Sequence, residues 1–396
     1  MEQICDSEIC TGCMTCAASC PVDAITATTD VFGFSIPQIN PNTCINCMLC
    51  QRICPAINDV RISNPINTYA ASAKDYDILK RTSSGGLATL IAQSFLEAGG
   101  IVYGCDGTNI HHVNHRRISE LTQLRFIQGS KYIQSEISNI YKEVLEDLKN
   151  GKEVLFIGLS CQVAGLNQFL KKEYSNFYTI DIVCHGAASQ KMLSQDIIYH
   201  KERLNINSIE NVKFRIKSLD ENSTTQIRYG LFFVGDDIRY SITGIDDPFT
   251  FGYANNQLFR DSCYNCKYTK TARVGDITLG DFWKLASDSI LNDKLGVSLC
   301  ITHTLKGEKL LKTIIGKIDI ERRTLAEAVI GNPQLVCPST PSQKLQYFRD
   351  LYVNQGLAKA IYNTNRITIL KIKVHKILKL CGVIKIKHYI LNKCRK

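Results

Sequence analysis

Eight cysteines fall into two runs of one pattern, C-x2-C-x2-C-x3-C-P: Cys10, Cys13, Cys16 and Cys20 before Pro21, then Cys44, Cys47, Cys50 and Cys54 before Pro55. Three thiolates at this spacing on a tight loop can each take one iron of a cube, while the fourth, held beyond the turn, points elsewhere. The proline then lets the chain leave without continuing as helix. Zinc knuckles also use C-x2-C pairs. A zinc site, however, closes on four ligands and gives no reason for a displaced fourth cysteine followed by proline in both runs. The spacing points to iron–sulfur clusters and therefore to electron transfer.

Ten cysteines lie outside these runs. "KEVLFIGLSCQVAGLNQFLKK" (Lys152 to Lys172) reads as strand, loop with Cys161, helix, and "NFYTIDIVCHGAASQKMLSQDII" (Asn176 to Ile198) as strand, loop with Cys184, helix. Consecutive strand–helix units give parallel strands joined by right-handed crossovers, so their carboxyl ends share one sheet edge, where ligands bind. Cys161 and Cys184 can meet there, and "CYNCKY" supplies a further pair, Cys263 and Cys266. Two buried structural cysteines would be the plainer reading of Cys161 and Cys184. Their loop positions and the C-x2-C that follows favour a third metal site. Cys5, Cys105, Cys300, Cys337, Cys381 and Cys394 have irregular spacing and read as structural or incidental. His185, beside Cys184, is a candidate for proton transfer, although a loop histidine near a metal is more often a hydrogen-bond partner.

Other elements must position these groups. In "RTSSGGLATLIAQSFLEAGGIVYGC", Ser83 or Ser84 can cap a helix whose apolar face holds Leu87, Leu90, Ile91 and Phe95; Gly99-Gly100 ends it and Ile101 opens a strand. Small residues at a helix start leave N–H groups open to an anion, so "SSGG" could seat a phosphate, or could simply be a cap. "SIENVKFRIKS", "TQIRYGLFFV" and "DIRYSIT" read as an antiparallel insertion between the two halves of the third site.

Composition sets outer limits. The chain has 396 residues, enough for two or three domains, with 44% hydrophobic and 21% charged residues and no apolar run able to span a bilayer. Met1 to Cys10 lacks the basic-then-apolar order of a secretory signal. A cytoplasmic location is expected, where many thiols mean metal or redox work rather than disulfides. The net charge of +10 is a property of the tail: residues 357–396 carry +11 and residues 1–356 carry −1. That tail places Ile367, Ile369, Leu370, Val374, Ile377, Leu378 and Cys381 along one helical side opposite lysines. Such a pattern suits an anionic membrane surface, as a peripheral contact at the inner face; an acidic partner or a solvated helix are the alternatives. Nucleic acid is not expected, since the charge is not spread over a folded face with aromatics.

The cysteine runs resemble bacterial-type dicluster ferredoxins, in which the fourth cysteine of each run ligates the other cluster. The resemblance implies that Cys10, Cys13, Cys16 and Cys54 hold one [4Fe–4S] cluster and Cys44, Cys47, Cys50 and Cys20 a second. From about Tyr69 to Ala328 the chain is similar to the coenzyme F420 hydrogenase/dehydrogenase beta-subunit family, and as much to its members associated with surface-polysaccharide biosynthesis. "SSGG", "GSKYIQS", "VLFIGLSCQVAGL", "DIVCHGAAS", "CYNCKY", "GDITLGDFW" and "GVSLCITHTLKGEKL" carry that likeness, in family order. It implies an oxidoreductase that binds FAD and a [4Fe–4S] cluster and exchanges electrons with a deazaflavin. By position, Cys161, Cys184, Cys263 and Cys266 would ligate a third cluster, while Ser83, Ser84, Gly85, Gly86 and Lys131 would lie against the flavin and its phosphates. Gly158-Leu159-Ser160 departs from the family's Gly-Thr-Pro before Cys161. No G-x-G-x-x-G follows a strand, so nicotinamide has no support either.

The fold expected is α/β, with an N-terminal α+β ferredoxin-like dicluster domain, a mixed or parallel sheet core, a β-rich insertion and a basic helical tail. Its divisions are 1–60, 61–145, 146–330 with the third site, and 331–396. The function expected is an iron–sulfur flavoprotein oxidoreductase acting with a redox partner protein or a hydride carrier such as F420, on a deazaflavin or a polysaccharide-pathway substrate. The alternative is a non-catalytic electron-transfer subunit or scaffold serving a partner enzyme; no catalytic residue is assigned. Crossed ligation makes its own prediction: Cys20→Ala should perturb the electron paramagnetic resonance signal of the cluster held by Cys44, Cys47 and Cys50. A response confined to the cluster of Cys10, Cys13 and Cys16 would overturn it.

Overall fold

The structure, a computed structural model, describes residues 3–137, 139–217, 227–236, 238–291 and 293–380. Ser218, Thr225 and Asp237, at the edges of the expected insertion strands, and Cys381 and Cys394 of the tail lie outside these residues. The N-terminal part pairs two short strands, β1 (Ile25–Thr29) and β2 (Ser35–Ile39), in an antiparallel hairpin. Beside them two single-turn helices, Thr15–Ala18 and Leu49–Arg52, carry Cys16 and Cys50.

The strands that follow are β3 (Asn67–Ala73), β4 (Ile101–Asp106), β5 (Asn114–Ile118), β6 (Val154–Leu159), β7 (Phe177–Ile182), β8 (Asn211–Lys217), β9 (Ile227–Gly235), β10 (Ile238–Ile242), β11 (Ile277–Asp281), β12 (Ser298–Thr302) and β13 (Ile318–Arg323). Eight of them form one mixed sheet in the order β13-β3-β12-β11-β7-β6-β4-β5. Its centre, β11-β7-β6-β4, is parallel, and its flanks are antiparallel. This arrangement follows from the sequence of β6: "VLFI" is apolar on both faces, as strands covered on both sides must be. Leu155 and Ile157 face the helix Leu87–Glu97, through its Leu87, Leu90 and Ile91. Val154 and Phe156 face the helices Ile140–Lys149 and Ser160–Leu170 on the other side.

The insertion is a three-stranded antiparallel sheet, β10-β9-β8, as its alternating residues suggest. It packs with the helices Gln190–Leu204, Pro248–Ala254, Leu345–Gln355 and Leu357–Thr364 around Phe233, Phe249, Phe348 and Tyr352. The last described helix, Arg366–Leu380, does not present one uniform apolar side. Ile369 is buried and Ile372 packs against the same core, while Ile367, Leu370, Val374, Ile377 and Leu378 are exposed. No helix among the described residues is long and apolar enough to cross a membrane.

The N-terminal part is clasped against the body by side chains that reach its backbone. Arg260 donates to Ser35 O (2.7 Å), Gln134 to Thr11 O (2.7 Å), Ser189 to Phe32 O (2.6 Å), Lys191 to Val31 O (2.8 Å), and Lys267 to Pro55 O (2.6 Å) and Asn58 O (2.8 Å). Gly165, inside the helix Ser160–Leu170, makes the closest approach possible: a Cβ there would stand 2.5 Å from Thr15 Oγ1 and 3.0 Å from Cys13 Cβ. Gly165→Leu should therefore overpack this seam and destabilise the fold by about 1–3 kcal/mol. Denaturant unfolding checks this, and an unchanged midpoint would show that the seam is looser than described.

Candidate metal and cofactor site

Two of the four cysteines expected to form the third site are placed by the parallel strand ends. Cys161 occupies the first turn of the helix that follows β6 rather than a loop, and Cys184 lies two residues past β7. Cys263 falls in the short helix Asp261–Tyr264 and Cys266 in the turn beyond it. All four line one cavity, with Thr11 of the N-terminal part, His185, Arg260 and Arg273. Burial, followed by the charge of Cys266, Cys184 and Cys263, pushes the Cys161 thiol well up. Burial likewise raises Cys184 to about 12 and Cys263 to about 11. Burial favours the protonated thiols, so binding a metal must displace their protons.

Among the described residues no three cysteine sulfurs all lie within 4.8 Å of one another. A tetrahedral zinc with sulfur ligands would need separations of about 3.8 Å, whereas thiolates at the corners of an iron–sulfur cube stand about 6–7 Å apart. Four thiols lining one cavity are the donor type that an iron–sulfur cube takes.

In the N-terminal part, Cys54 lies close enough to Cys13 and Cys16 for its charge to raise both, behind the larger effect of burial. Cys50 is raised by burial and then by Cys47 and Cys44, and Cys20 packs in the same small cluster as Cys50. Cys5, read from the sequence as incidental, lies beside Cys10 and Cys54, and its thiol is pushed up by them and by burial. This contact holds Cys10 down at about 6 and Cys54 at about 7. Irregular spacing hid it, because Cys5 precedes the repeating run and Cys54 closes the other one.

Arg273 organises the larger cysteine cavity. Buried, it donates to both carboxylate oxygens of Asp181 (3.1–3.3 Å), to Ser160 Oγ (2.7 Å), to Tyr268 O (2.8 Å) and to Ile182 O (3.3 Å). Ser160 precedes Cys161, Ile182 leads into Cys184, and Tyr268 follows Cys266, so one guanidinium ties three cysteine-bearing segments together. Asp181 is completed by Thr278 Oγ1 (2.7 Å) and Gly275 N (3.2 Å). Cys263 is reached from the other side, where Arg260 N donates to Ala187 O (3.3 Å).

A second, larger cavity of about 320 Å³ shares Leu159, Cys184, His185, Gly186 and Ala187 with the first. Ser83, Ser84, Gly86 and Lys131 line it, brought together as the sequence suggests. Gly85 does not line it. A Cβ on Gly85 would stand 2.4 Å from Ala71 O and 2.6 Å from Ser298 N, so this glycine serves the packing of the turn on β3 and β12. The helix begins at Gly86 (φ 89°), not at a serine cap: Ser84 Oγ donates to Val297 O (3.0 Å) and Ser83 Oγ accepts from Ser130 N (2.7 Å). Lys131 donates to Gln128 O (2.8 Å), and burial lowers its pKa. His185 is also lowered, by burial.

Sequence reading missed several lining groups. Arg215, on β8, forms a bidentate pair with Asp281 (2.8 Å for both bonds) and lies over the rings of Tyr229 and Trp283. His115, on β5, bonds to Ser135 Oγ (2.8 Å) and Ile157 O (3.1 Å), and burial pushes it down to about 4. A histidine in a polar strand gives no local sign that it faces a cavity.

Residues 151–328 match the family described as the C-terminal part of the coenzyme F420 hydrogenase/dehydrogenase beta subunit. Residues 9–57 match the 4Fe-4S dicluster domain. The chain is also similar to an uncharacterized polyferredoxin-like protein of Methanocaldococcus jannaschii, 34% identical over 68 residues. That match takes in 15% of this chain and 40% of the relative, so the chain spans well under half of that protein's length. Among solved structures it is similar to a chain of the F420-reducing [NiFe] hydrogenase complex from Methanosarcina barkeri, at 17% identity and a TM-score of 0.44, covering 80% of this chain and 94% of that one.

The hub around Arg273 can be tested directly. Arg273→Met should cost about 3–5 kcal/mol in denaturant unfolding, because it leaves a buried carboxylate without its cation. Adding Asp181→Asn should recover part of that loss, since the amide oxygen can still accept from Thr278 while no charge stays buried unpaired. A double variant no more stable than Arg273→Met alone would contradict this account.

Proposed function

We propose that this chain, a member over residues 151–328 of the coenzyme F420 hydrogenase/dehydrogenase beta-subunit family with a 4Fe-4S dicluster domain at residues 9–57, is an iron–sulfur flavoprotein oxidoreductase. In this reading a third [4Fe–4S] cluster is held by Cys161, Cys184, Cys263 and Cys266, and FAD binds in the 320 Å³ cavity. The observation that carries it is continuity. Cys13 sits against the helix bearing Cys161, and the two thiols are near enough to interact electrically. Cys184 then borders both the four-cysteine cavity and the larger one.

A flavin exchanges two electrons as hydride and releases them singly, which suits a junction between one-electron clusters and a hydride carrier. The chain's own residues supply position and charge for it. Lys131 offers a cation within the cavity, Ser83 and Ser84 offer hydroxyls beside the glycine turn, and Gly86 keeps that turn open. Arg215, held flat by Asp281 and Trp283, forms part of the wall and could orient an anionic substrate. The substrate would be a deazaflavin, in keeping with the family's description, or an intermediate of cell-surface polysaccharide assembly.

Electrons would arrive at the opposite end. Cys47 is exposed while Cys10, Cys13, Cys16, Cys50 and Cys54 are buried, and the exposed side chains of Ile45 and Met48 flank it. A redox partner protein with a small apolar contact face would suit that edge. The basic helix Arg366–Leu380, with Leu370, Val374, Ile377 and Leu378 exposed, would rest on an anionic membrane surface from the cytoplasmic side.

Iron and flavin analysis of anaerobically purified protein tests the reading. It expects about twelve iron atoms and one flavin per chain. Cys263→Ser should lower iron toward about eight while the N-terminal clusters keep their signals. Ala88→Phe, which fills the cavity from its helical wall, should lower flavin content without changing the iron. Wild-type protein with about eight iron atoms and no flavin would instead mark an electron-transfer subunit serving a partner enzyme.

A further inference from the structure

A cluster with no place in that electron path lies in the core between the helix Gln190–Leu204 and the β8–β10 sheet. Asp196, His200 and Asp247 are fully buried, and one ligand atom from each lies within 4.8 Å of the others. His200 Nε2 stands 3.4 Å from Asp196 Oδ2 and 3.9 Å from Asp247 Oδ1. These separations are too long for good hydrogen bonds. Accordingly neither ring nitrogen of His200, nor Asp196 Oδ2, has a hydrogen-bond partner. Donors about 2.0 Å from a tetrahedral zinc ion are about 3.3 Å apart, close to the spacing seen.

The remaining oxygens of the two carboxylates are already anchored. Asp196 Oδ1 accepts from Phe249 N (3.0 Å), and Asp247 Oδ2 accepts from Leu231 N (3.0 Å) and from Thr250 Oγ1. Outer hydrogen bonds of this kind fix ligand carboxylates; Asp196 Oδ2 is left without a partner, while Asp247 Oδ1 also accepts a long bond from Thr250 N (3.3 Å) and keeps a second lone pair for coordination. Charge points the same way. Two buried carboxylates have His200 as their one ion-pair partner among the described residues, and an imidazolium supplies at most a single positive charge. A divalent ion bound by neutral imidazole would balance both.

We infer that Asp196, His200 and Asp247 hold a divalent transition-metal ion, with zinc as the expected occupant, which staples the insertion sheet to the body. The three ligands come from the helix Gln190–Leu204 and the start of the helix Pro248–Ala254, and the outer bond from Leu231 ties in β9. Three protein donors leave a fourth position for water. The site is independent of the cysteine clusters and of the flavin reading.

Metal analysis with zinc K-edge X-ray absorption on the full chain, purified anaerobically from zinc-supplemented cells, tests this. The expected result is about one zinc per chain with a nitrogen and oxygen shell at about 2.0 Å. His200→Ala should lower zinc to below about one-tenth per chain, with iron unchanged. Manganese or nickel lost in the same way would support the site with another occupant. The inference is overturned if the wild-type protein holds no such metal, or if its zinc shows a sulfur shell at about 2.3 Å and so resides at the cysteines. The wild-type spectrum decides even if the variant does not fold.

Discussion

A buried guanidinium brings five N–H donors and a fixed charge into the interior, and all of them need partners. Arg273 meets that demand by drawing carbonyls and a hydroxyl from three separate segments around the carboxylate of Asp181. Because an unmatched buried charge costs several kcal/mol, these segments cannot drift apart without a large penalty. The convergence of Cys161, Cys184 and Cys266 follows from it. Strand order delivers the first two to one sheet edge, and Arg273 fixes how closely they and the C-x2-C turn approach.

The site combines two demands that usually conflict. Thiolates need stabilisation of negative charge, yet these thiols are buried, and burial raises their pKa values. Arg260 and Arg273 both line the cavity and supply the compensating positive field: Arg273 lowers Cys184 and Arg260 lowers Cys263, against the larger effect of burial.

Features set by local geometry were legible in the sequence. The C-x2-C-x2-C-x3-C-P runs declare themselves because a cube dictates ligand spacing along a short loop. The apolar run of β6 and the helical period of Leu87, Leu90 and Ile91 located the sheet and one covering layer. What escaped notice depends on partners distant in the chain. Gly85 looked like a phosphate seat, but its contacts are the backbones of β3 and β12. Ser83 and Ser84 looked like caps, but their hydroxyls are taken by Ser130 and Val297. Asp196 and His200 share a helix face at an obvious spacing, yet only folding brings Asp247 to them. Arg273 likewise has no signature until Asp181 is placed beside it.

The side chains that grip the N-terminal part attach to its backbone along its whole length: Gln134 near the first cysteine run, Arg260, Lys191 and Ser189 at the hairpin, Lys267 beyond the second run. Many redox proteins carry an electron-transfer module on a flexible tether, and turnover then waits for diffusion to swing it into contact. Here the module is fastened in the docked position. Internal electron flow should consequently be indifferent to solvent viscosity, leaving distance and driving force to set its pace.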